Sequence, residues 1–187
     1  MKILLVNPPN PDNYYNKEVY LPSALLYLAA AAQENGSEVK ILDLKSPIYA
    51  NIPESKTDYE KLLVENIDLF QPDILGFGCL FSGNFPQVLK LSEASKSKFP
   101  KIPVITGGIH PTIYAKEILE NCPSVDWVIL GEGEETFVQF IDMYKNKNFN
   151  FEKIDGFAYR KNGETMVNRK IKFIMNPDTI PFPAYEL

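Results

Sequence analysis

The amino-acid sequence predicts an α/β protein in which helices cover both faces of a parallel five-stranded sheet, with a C-terminal β-hairpin as an extension. Two observations lead to this doubly wound arrangement. Short apolar runs alternate with stretches of helical periodicity up to about residue 147, and several of these runs are apolar at every position, as in strands buried on both faces. A third observation, two short strands around a turn after residue 147, predicts the hairpin.

The composition narrows the class of protein. The chain has 187 residues, of which 45% are hydrophobic and 23% charged, which is ordinary for a globular protein with one core. Its net charge of −5 argues against a nucleic-acid partner, and no apolar run approaches the roughly 18 residues that span a bilayer. Two cysteines, Cys79 and Cys122, form neither a disulfide framework nor a metal cluster. We therefore expect a cytoplasmic protein with neither a nucleic-acid nor a membrane partner.

The elements follow one another in a regular order. The first strand is predicted over residues 2–7, an apolar run that prolines end. The first helix is predicted within the Ala- and Leu-rich residues 21–36, starting at Pro22 or Ser23 and capped by Gly36. The other predicted elements are strands over residues 38–44, 73–78 and 103–108 and within 125–134, and helices over residues 58–70, 85–98, 112–120 and 134–145.

The last forty residues depart from this rhythm. Residues 156–170 read as two strands around Asn162-Gly163, a strong hairpin signal, and the proline-rich end reads as a linker. We therefore divide the chain into an α/β domain over residues 1–147, a hairpin extension over 148–176 and a linker over 177–187. Five βα units favour a flavodoxin-like (Rossmann-like) sheet of order 2-1-3-4-5, with a ligand crevice at the carboxyl ends of strands one, three and four.

Four loops leave the strand ends, and their sequences are NPPNPDNYYN, CLFSGN, GGIHPT and GEGEE. The prolines of the first loop, with Tyr14, Tyr15 and nearby Tyr20, suit a large flat ligand or a loop packed on its own scaffold. In the second loop, Ser82 or Asn84 could cap the following helix, and the same helix N-terminus could hold a phosphate.

The third and fourth loops are rich in glycine. Gly107 and Gly108 allow a ligand or a neighbouring backbone to approach closely, and we expect a leucine at Gly108 to block the crevice without unfolding the sheet. In the fourth loop, Glu134 and Glu135 stand at a helix start, where the helix dipole alone could favour acids.

Several functions are disfavoured by what these loops lack. A receiver domain needs acids after strands one and three, where this chain has Asn7 and Gly78. A flavodoxin needs a Ser/Thr-rich phosphate loop after strand one, and neither GxGxxG nor GxxxxGK[ST] occurs. The single histidine, His110, has no evident partner for nucleophilic catalysis.

The motifs taken together resemble one family. The ordered set ILLVNPP, LPSALLYLAAAAQENGSEVKILDL, PDILGFG, VITGGIHPT, VDWVILGEGEETF, IDGFAYRKNGE and IPFPAYEL is similar to the N-terminal cobalamin (B12)-binding domain of B12-dependent radical SAM enzymes, over nearly the whole chain. In that family the PFP segment precedes a radical SAM barrel, whose CxxxCxxC cysteines bind a [4Fe–4S] cluster. This chain has no CxxxCxxC, so we expect an excised domain or a fragment that does not cleave S-adenosylmethionine itself.

The resemblance implies that cobalamin lies over the carboxyl edge of the sheet, with its nucleotide tail in the crevice. Residues at the end of strand one would border the corrin ring, and small residues after strands three and four would admit the tail. The residues that it implies for the cofactor are Asn7, Pro8, Pro9, Gly78, Cys79, Leu80, Phe81, Ser82, Gly107, Gly108, Ile109, His110, Thr112, Gly131, Glu132 and Gly133. The whole protein would also hold a [4Fe–4S] cluster and S-adenosylmethionine and would be a methyltransferase-type enzyme.

The sequence departs from B12 domains of the DxHxxG type, in which the histidine binds cobalt from below. No such motif follows strand one, so we expect base-off cobalamin whose lower face meets water or a side chain of CLFSGN. Cys79 could be such a neighbour, but a buried cysteine at a strand end is the favoured interpretation. His110 follows strand four, on the tail side, and is expected to order its loop by hydrogen bonds or to contact the nucleotide rather than bind cobalt.

Two other functions remain open from the sequence. A degenerate domain without cofactor could serve as a docking module, and its crevice would be filled by side chains such as Phe81 and Tyr20. A flavin- or nucleotide-binding domain is disfavoured by the missing phosphate loop.

Overall fold

The computed structural model describes residues 1–11, 20–45 and 58–187. Within them, one seven-stranded sheet has the order β2-β1-β3-β4-β5-β6-β7. The strands are β1 (Lys2–Asn7), β2 (Glu38–Asp43), β3 (Ile74–Gly78), β4 (Val104–Gly107), β5 (Trp127–Ile129), β6 (Phe157–Lys161) and β7 (Glu164–Asn168). The first five strands pair in parallel, whereas β6 pairs antiparallel with both β5 and β7. This arrangement confirms the predicted doubly wound fold and strand order.

The helices of the described residues are α1 (Ser23–Glu34), α2 (Tyr59–Phe70), α3 (Phe85–Lys98), α4 (Ile109–Ile113), α5 (Ala115–Asn121) and α6 (Glu134–Lys145). The predicted helix over residues 112–120 is wrong in its extent, because α4 and α5 take its place and break at Tyr114. Proline fits only in the first turn of a helix, where an N–H group has no helical partner. Pro111 is the third residue of α4, so it lies in the first turn and is compatible with a helix that begins at Ile109.

The core consists of two layers, one on each face of the sheet. Beneath α1 and α6, the buried residues include Ile3, Leu5, Leu25, Ala29, Ile105, Phe137 and Phe140. Beneath α2 and α3, they include Leu4, Val6, Leu63, Ile67, Leu75, Val88 and Leu91. Because successive residues of a strand face opposite sides, each apolar strand contributes to both layers.

The hairpin is continuous with the sheet. Strand β6 pairs with β5, and Phe157 and Ala158 are fully buried. The turn has positive φ at Asn162 (52°) and Gly163 (84°), the conformation that the Asn-Gly pair predicts. Residues 177–187 return to the α/β layer, where the Ala184 N–H donates to the carbonyl of Leu26 at 3.2 Å. The division into three segments stays a prediction.

No helix among the described residues has the length and apolar character that a bilayer crossing requires.

Candidate functional site

A cavity of about 430 Å³ opens at the carboxyl edge of the sheet, beneath the first turns of α1. Its volume lies in the range of small-molecule sites. Its walls come from the ends of β1, β3 and β4, from α1 and from the loop between β5 and α6. The lining includes Leu5, Asn7, Pro8, Tyr20, Leu21, Leu25, Leu28, Lys45, Gly76, Gly78, Cys79, Leu80, Phe81, Asn84, Ile105, Thr106, Gly107, Gly108, Ile129, Gly131, Glu132, Gly133, Glu134 and Phe137.

Glycines on one face of the sheet form the cavity floor. Gly78 pairs with Gly107, and Gly107 pairs with Ile129. Gly76 lies two residues before Gly78 and therefore points to the same face. A Cβ at Gly78 would come within 3.1 Å of the Leu25 side chain of α1. A Cβ at Gly76 would come within 2.7 Å of the Leu5 side chain, so glycine at these two positions lets Leu5 and Leu25 lie against β3 at the cavity floor.

Exposed apolar side chains surround the mouth of the cavity. Tyr20 is 67% exposed and Phe81 is 59% exposed, and both line the mouth without filling the interior. Leu21 and Leu80 are also exposed there. Among the residues that the structure describes, the crevice is therefore open, which is the arrangement expected of a ligand-binding domain rather than of a degenerate docking module.

Gly108 is glycine for a different reason from Gly107. Its φ is +116°, and a Cβ there would lie 2.3 Å from the backbone carbonyl oxygen of Cys79. The neighbour that approaches the double glycine so closely is thus the chain after β3. The expectation that leucine at Gly108 leaves the sheet intact is wrong, because any side chain would strike that backbone and strain φ.

The loop after β5 closes the far side of the cavity. A Cβ at Gly133 would lie 3.1 Å from the Leu28 side chain, so glycine allows the loop to pack under α1. The Glu132 carboxylate accepts a hydrogen bond from the Ile174 N–H at 2.7 Å. Gly131 also lines this side. The loop thus joins the cavity wall to the segment after the hairpin.

His110 lies outside the cavity lining. Its Nδ1 is 2.9 Å from the Ser82 Oγ, and its ring centroid is 4.6 Å from that of Phe85 and 4.8 Å from that of Tyr114. Partial burial lowers the pKa of His110, which favours the neutral ring. These contacts connect the loops after β3 and β4.

The remaining predicted site residues outside the lining are Pro9, Ser82, Ile109 and Thr112. Thr112 Oγ1 donates to the Gly108 carbonyl at 2.7 Å and accepts from the Gly131 N–H at 2.9 Å, which fastens two of the four loops together. Asn84 occupies the N-cap position of α3 as expected, but its side chain makes no capping hydrogen bond. The Asn84 amide instead donates to the Pro9 carbonyl at 3.3 Å.

Polar side chains at the β2 side of the cavity include one that the sequence reasoning missed. Lys45 lines the cavity, and burial lowers the pKa of its ammonium despite the nearby Asp43 carboxylate. Asp43 Oδ1 accepts from the Asn7 amide at 2.7 Å. Burial raises the pKa of Cys79 to about 12, so its thiol is neutral at physiological pH and is a poor metal ligand.

The sequence contains a signal for one missed feature and none for the others. The GFG of β3 places Gly76 and Gly78 on one face, so a strand prediction could have identified Gly76. Nothing local indicates that Leu25 and Leu28 of α1 close the cavity, because their proximity depends on how α1 crosses the sheet.

Comparison with known proteins places this chain in a family. The model of the B12-binding domain matches residues 17–141. An uncharacterized methyltransferase (PH0819) of Pyrococcus horikoshii is 31% identical over 100% of this chain and 39% of its own length. An anaerobic magnesium-protoporphyrin IX monomethyl ester cyclase of Synechocystis is 29% identical over 95% of this chain and 34% of its own length. The chain therefore spans well under half of these relatives.

A solved structure shows the same fold. The cobalamin-dependent S-adenosylmethionine radical enzyme OxsB, with aqua-cobalamin and S-adenosylmethionine bound, superimposes with a TM-score of 0.77 at 20% identity, over 99% of this chain and 24% of OxsB. The predicted resemblance to the cobalamin domain of B12-dependent radical SAM enzymes is thereby confirmed. Because the family model matches more than half of its residues, the chain belongs to the B12-binding domain family.

Proposed function

We propose that this domain binds cobalamin base-off at the carboxyl edge of the sheet, with the nucleotide tail in the cavity beneath α1. The observation that carries the proposal is the cavity floor of Gly76, Gly78 and Gly107. A Cβ would lie 2.7 Å from the Leu5 side chain at Gly76 and 3.1 Å from the Leu25 side chain at Gly78, so larger residues there would push these side chains out of place in the cavity wall. The exposed apolar mouth of Tyr20, Leu21, Leu80 and Phe81 offers a broad surface to a corrin ring.

The base-off state is supported by the position of His110. The only histidine of the chain lies outside the cavity lining and contacts Ser82. The nearest thiol, Cys79, is neutral because burial raises its pKa to about 12. The lower face of the corrin would therefore meet water or the side chains of Leu80 and Phe81, with no imidazole from this chain.

A weak lower ligand suits a methyltransferase. Cobalamin, when bound, would supply a methyl group for transfer, and a weakly held lower ligand eases that transfer. The chain's own residues would bind, orient and shield the cofactor. The sequence of this domain does not define the substrate, which another part of the whole protein would hold.

We propose that a radical SAM domain of the same protein, with its [4Fe–4S] cluster and S-adenosylmethionine, covers the exposed side of this domain. The segment after β7 exposes large apolar side chains, among them Met175 (92% exposed) and Phe182 (83% exposed). Exposed apolar surface of this kind commonly marks an interface with another domain or protein.

Titration of the 187-residue chain with hydroxocobalamin, followed by visible absorption, tests the proposal. We expect saturable binding in the micromolar range with a base-off spectrum. The matched control is His110→Ala, which should show the same spectrum because His110 does not line the cavity.

Two results would contradict the proposal in different ways. A histidine-type spectrum that His110→Ala abolishes would assign the lower ligand to His110. Absence of saturable binding both by this chain and by the whole protein that contains the radical SAM domain would support the docking-module function instead.

A further inference from the structure

An acid in the cavity wall has an unsatisfied oxygen. Glu134, the first residue of α6, lines the cavity. Its Oε2 is buried and has no hydrogen-bond partner among the residues that the structure describes. The other acid in the lining, Glu132, is already engaged by the Ile174 N–H at 2.7 Å. Glu134 is therefore the acid of this wall that still requires a donor.

A buried carboxylate oxygen without a donor is costly. Buried polar groups are nearly always paired, and the free-energy penalty is larger for a charged group than for a neutral one. The helix dipole favours an acid at this position but supplies no direct hydrogen bond. The last torsion of a glutamate side chain is soft, so a small rotation can present Oε2 to a donor inside the cavity.

We propose that the Glu134 carboxylate accepts a hydrogen bond from a ribose hydroxyl of the cobalamin nucleotide tail. This inference rests on the proposed function, because it assumes that the tail enters the cavity. Glu134 follows β5 and lines the cavity next to Gly133, where a Cβ would lie 3.1 Å from the Leu28 side chain of α1. A carboxylate repels the tail's phosphate and attracts a hydroxyl donor, so the ribose is the part of the tail that fits.

The position of Lys45 agrees with this orientation. Lys45 lines the cavity near β2, on the opposite side of β1, β3 and β4 from Glu134. The cavity thus has a cation at one end and an acceptor at the other, with glycines and aliphatic side chains between them. A hydroxyl donor belongs at the Glu134 end.

The test compares two corrinoids and two neighbouring acids. Hydroxocobalamin carries the nucleotide tail, whereas cobinamide lacks its ribose, phosphate and base. Glu134→Met removes the acceptor at similar length, and Glu135→Met removes the same charge from the same helix turn at an exposed position outside the lining. We expect Glu134→Met to raise the Kd for cobalamin about tenfold and to leave the Kd for cobinamide unchanged.

Two further measurements distinguish a loss of the cofactor contact from a loss of stability. Glu134→Gln keeps an acceptor oxygen and should lose less affinity than Glu134→Met. In the absence of cofactor, Glu134→Met should unfold at a urea concentration no lower than that of Glu135→Met, since it removes an unsatisfied buried oxygen.

The outcomes are distinct. Equal loss of affinity for both corrinoids, or no loss for either, would overturn the contact between Glu134 and the ribose. If the unmodified chain bound neither corrinoid, the proposed function itself would fail. Selective loss for cobalamin, with Glu135→Met unaffected, supports the assignment.

Discussion

The two faces of one sheet differ most at its carboxyl end. On the side of α2 and α3, the last paired row contains Val6, Phe77, Thr106 and Val128, and all four are at most 2% exposed. On the side of α1, the next residues of β3, β4 and β5 are Gly78, Gly107 and Ile129. One row is filled with side chains, and the other leaves a cavity.

This difference separates stability from binding within the same strands. A shift of one residue changes the face, so β3 and β4 fill one layer with bulky residues and leave the other open. The filled side supplies buried apolar area, at roughly 1.5–3 kcal/mol for each large side chain. The open side gives up that contribution and gains a ligand site. Substitutions on the two sides should therefore have different effects.

The largest effect is expected on the filled side. Leu75→Ala removes a fully buried side chain of β3 that packs beneath α2 and α3. It should lower the free energy of unfolding by about 2–5 kcal/mol, measured by urea denaturation. The affinity of the remaining folded protein for hydroxocobalamin should change less than threefold, since Leu75 is absent from the cavity lining.

For Gly107→Leu, we expect a large loss of affinity with little loss of stability. A Cβ at Gly107 lies 3.5 Å from the Ile129 Cβ, an ordinary contact, so the sheet can accept it while the rest of the side chain fills the slot. The Kd for hydroxocobalamin should rise about 100-fold, or 2.7 kcal/mol, with little change in the unfolding transition. Val167→Leu, on the edge strand β7, is the control. Unchanged affinity for Gly107→Leu would place the tail elsewhere.

The two adjacent glycines offer a sharper comparison. Gly108→Ala places a Cβ 2.3 Å from the Cys79 carbonyl at a φ of +116°, whereas Gly107→Ala meets only ordinary contacts. Gly108→Ala should therefore cost about 1–3 kcal/mol of stability and Gly107→Ala less than about 1 kcal/mol. Equal urea midpoints for the two variants would refute the close approach of the Cys79 backbone.

A smaller effect is expected from the Cys79 thiol at alkaline pH. Burial raises its pKa to about 12 from 9.0, so the unfolded chain loses this proton first as the pH rises. Stability from this group is complete below pH 9 and is lost between pH 9 and about 12. From pH 8 to 10, the wild type should lose about 1 kcal/mol more unfolding free energy than Cys79→Ala. If the wild type and Cys79→Ala lost the same unfolding free energy over this pH range, the thiol would be exposed.

The smallest effect concerns His110. Partial burial lowers its pKa below 6.5, so the folded state favours the neutral ring. Stability from this group is present above pH 6.5 and declines as the pH falls, because the unfolded chain binds the proton more readily. A proton NMR titration, simplified by the single histidine, should give a midpoint below 6.5 in the folded state. A midpoint above 6.5 would instead indicate an acidic group close to the ring.

The sequence predicted some regions of the structure better than others. The runs at β1 and β3 predicted their strands because continuous apolarity suits a strand buried on both faces. Gly78, Cys79 and Gly107 were predicted near a ligand site because parallel strands end at one edge, and the structure places all three in the cavity lining. Thr112 and His110 were predicted for the same site but connect loops beside it, since a short helix turns their side chains toward neighbouring loops.

By itself, the sequence determined the alternation of strands and helices, the parallel order of the first five strands, the hairpin turn at Asn162-Gly163 and the resemblance to the B12-binding family. These depend on periodicity, on turn chemistry and on motif order, which are local. Only the tertiary structure decided that Gly107 lines the cavity while Gly108 accommodates the Cys79 backbone, that Leu25 and Leu28 cover the cavity, and that Glu134 Oε2 has no donor in the described part of the chain. Those properties depend on distances between segments far apart in the chain, which no local pattern specifies.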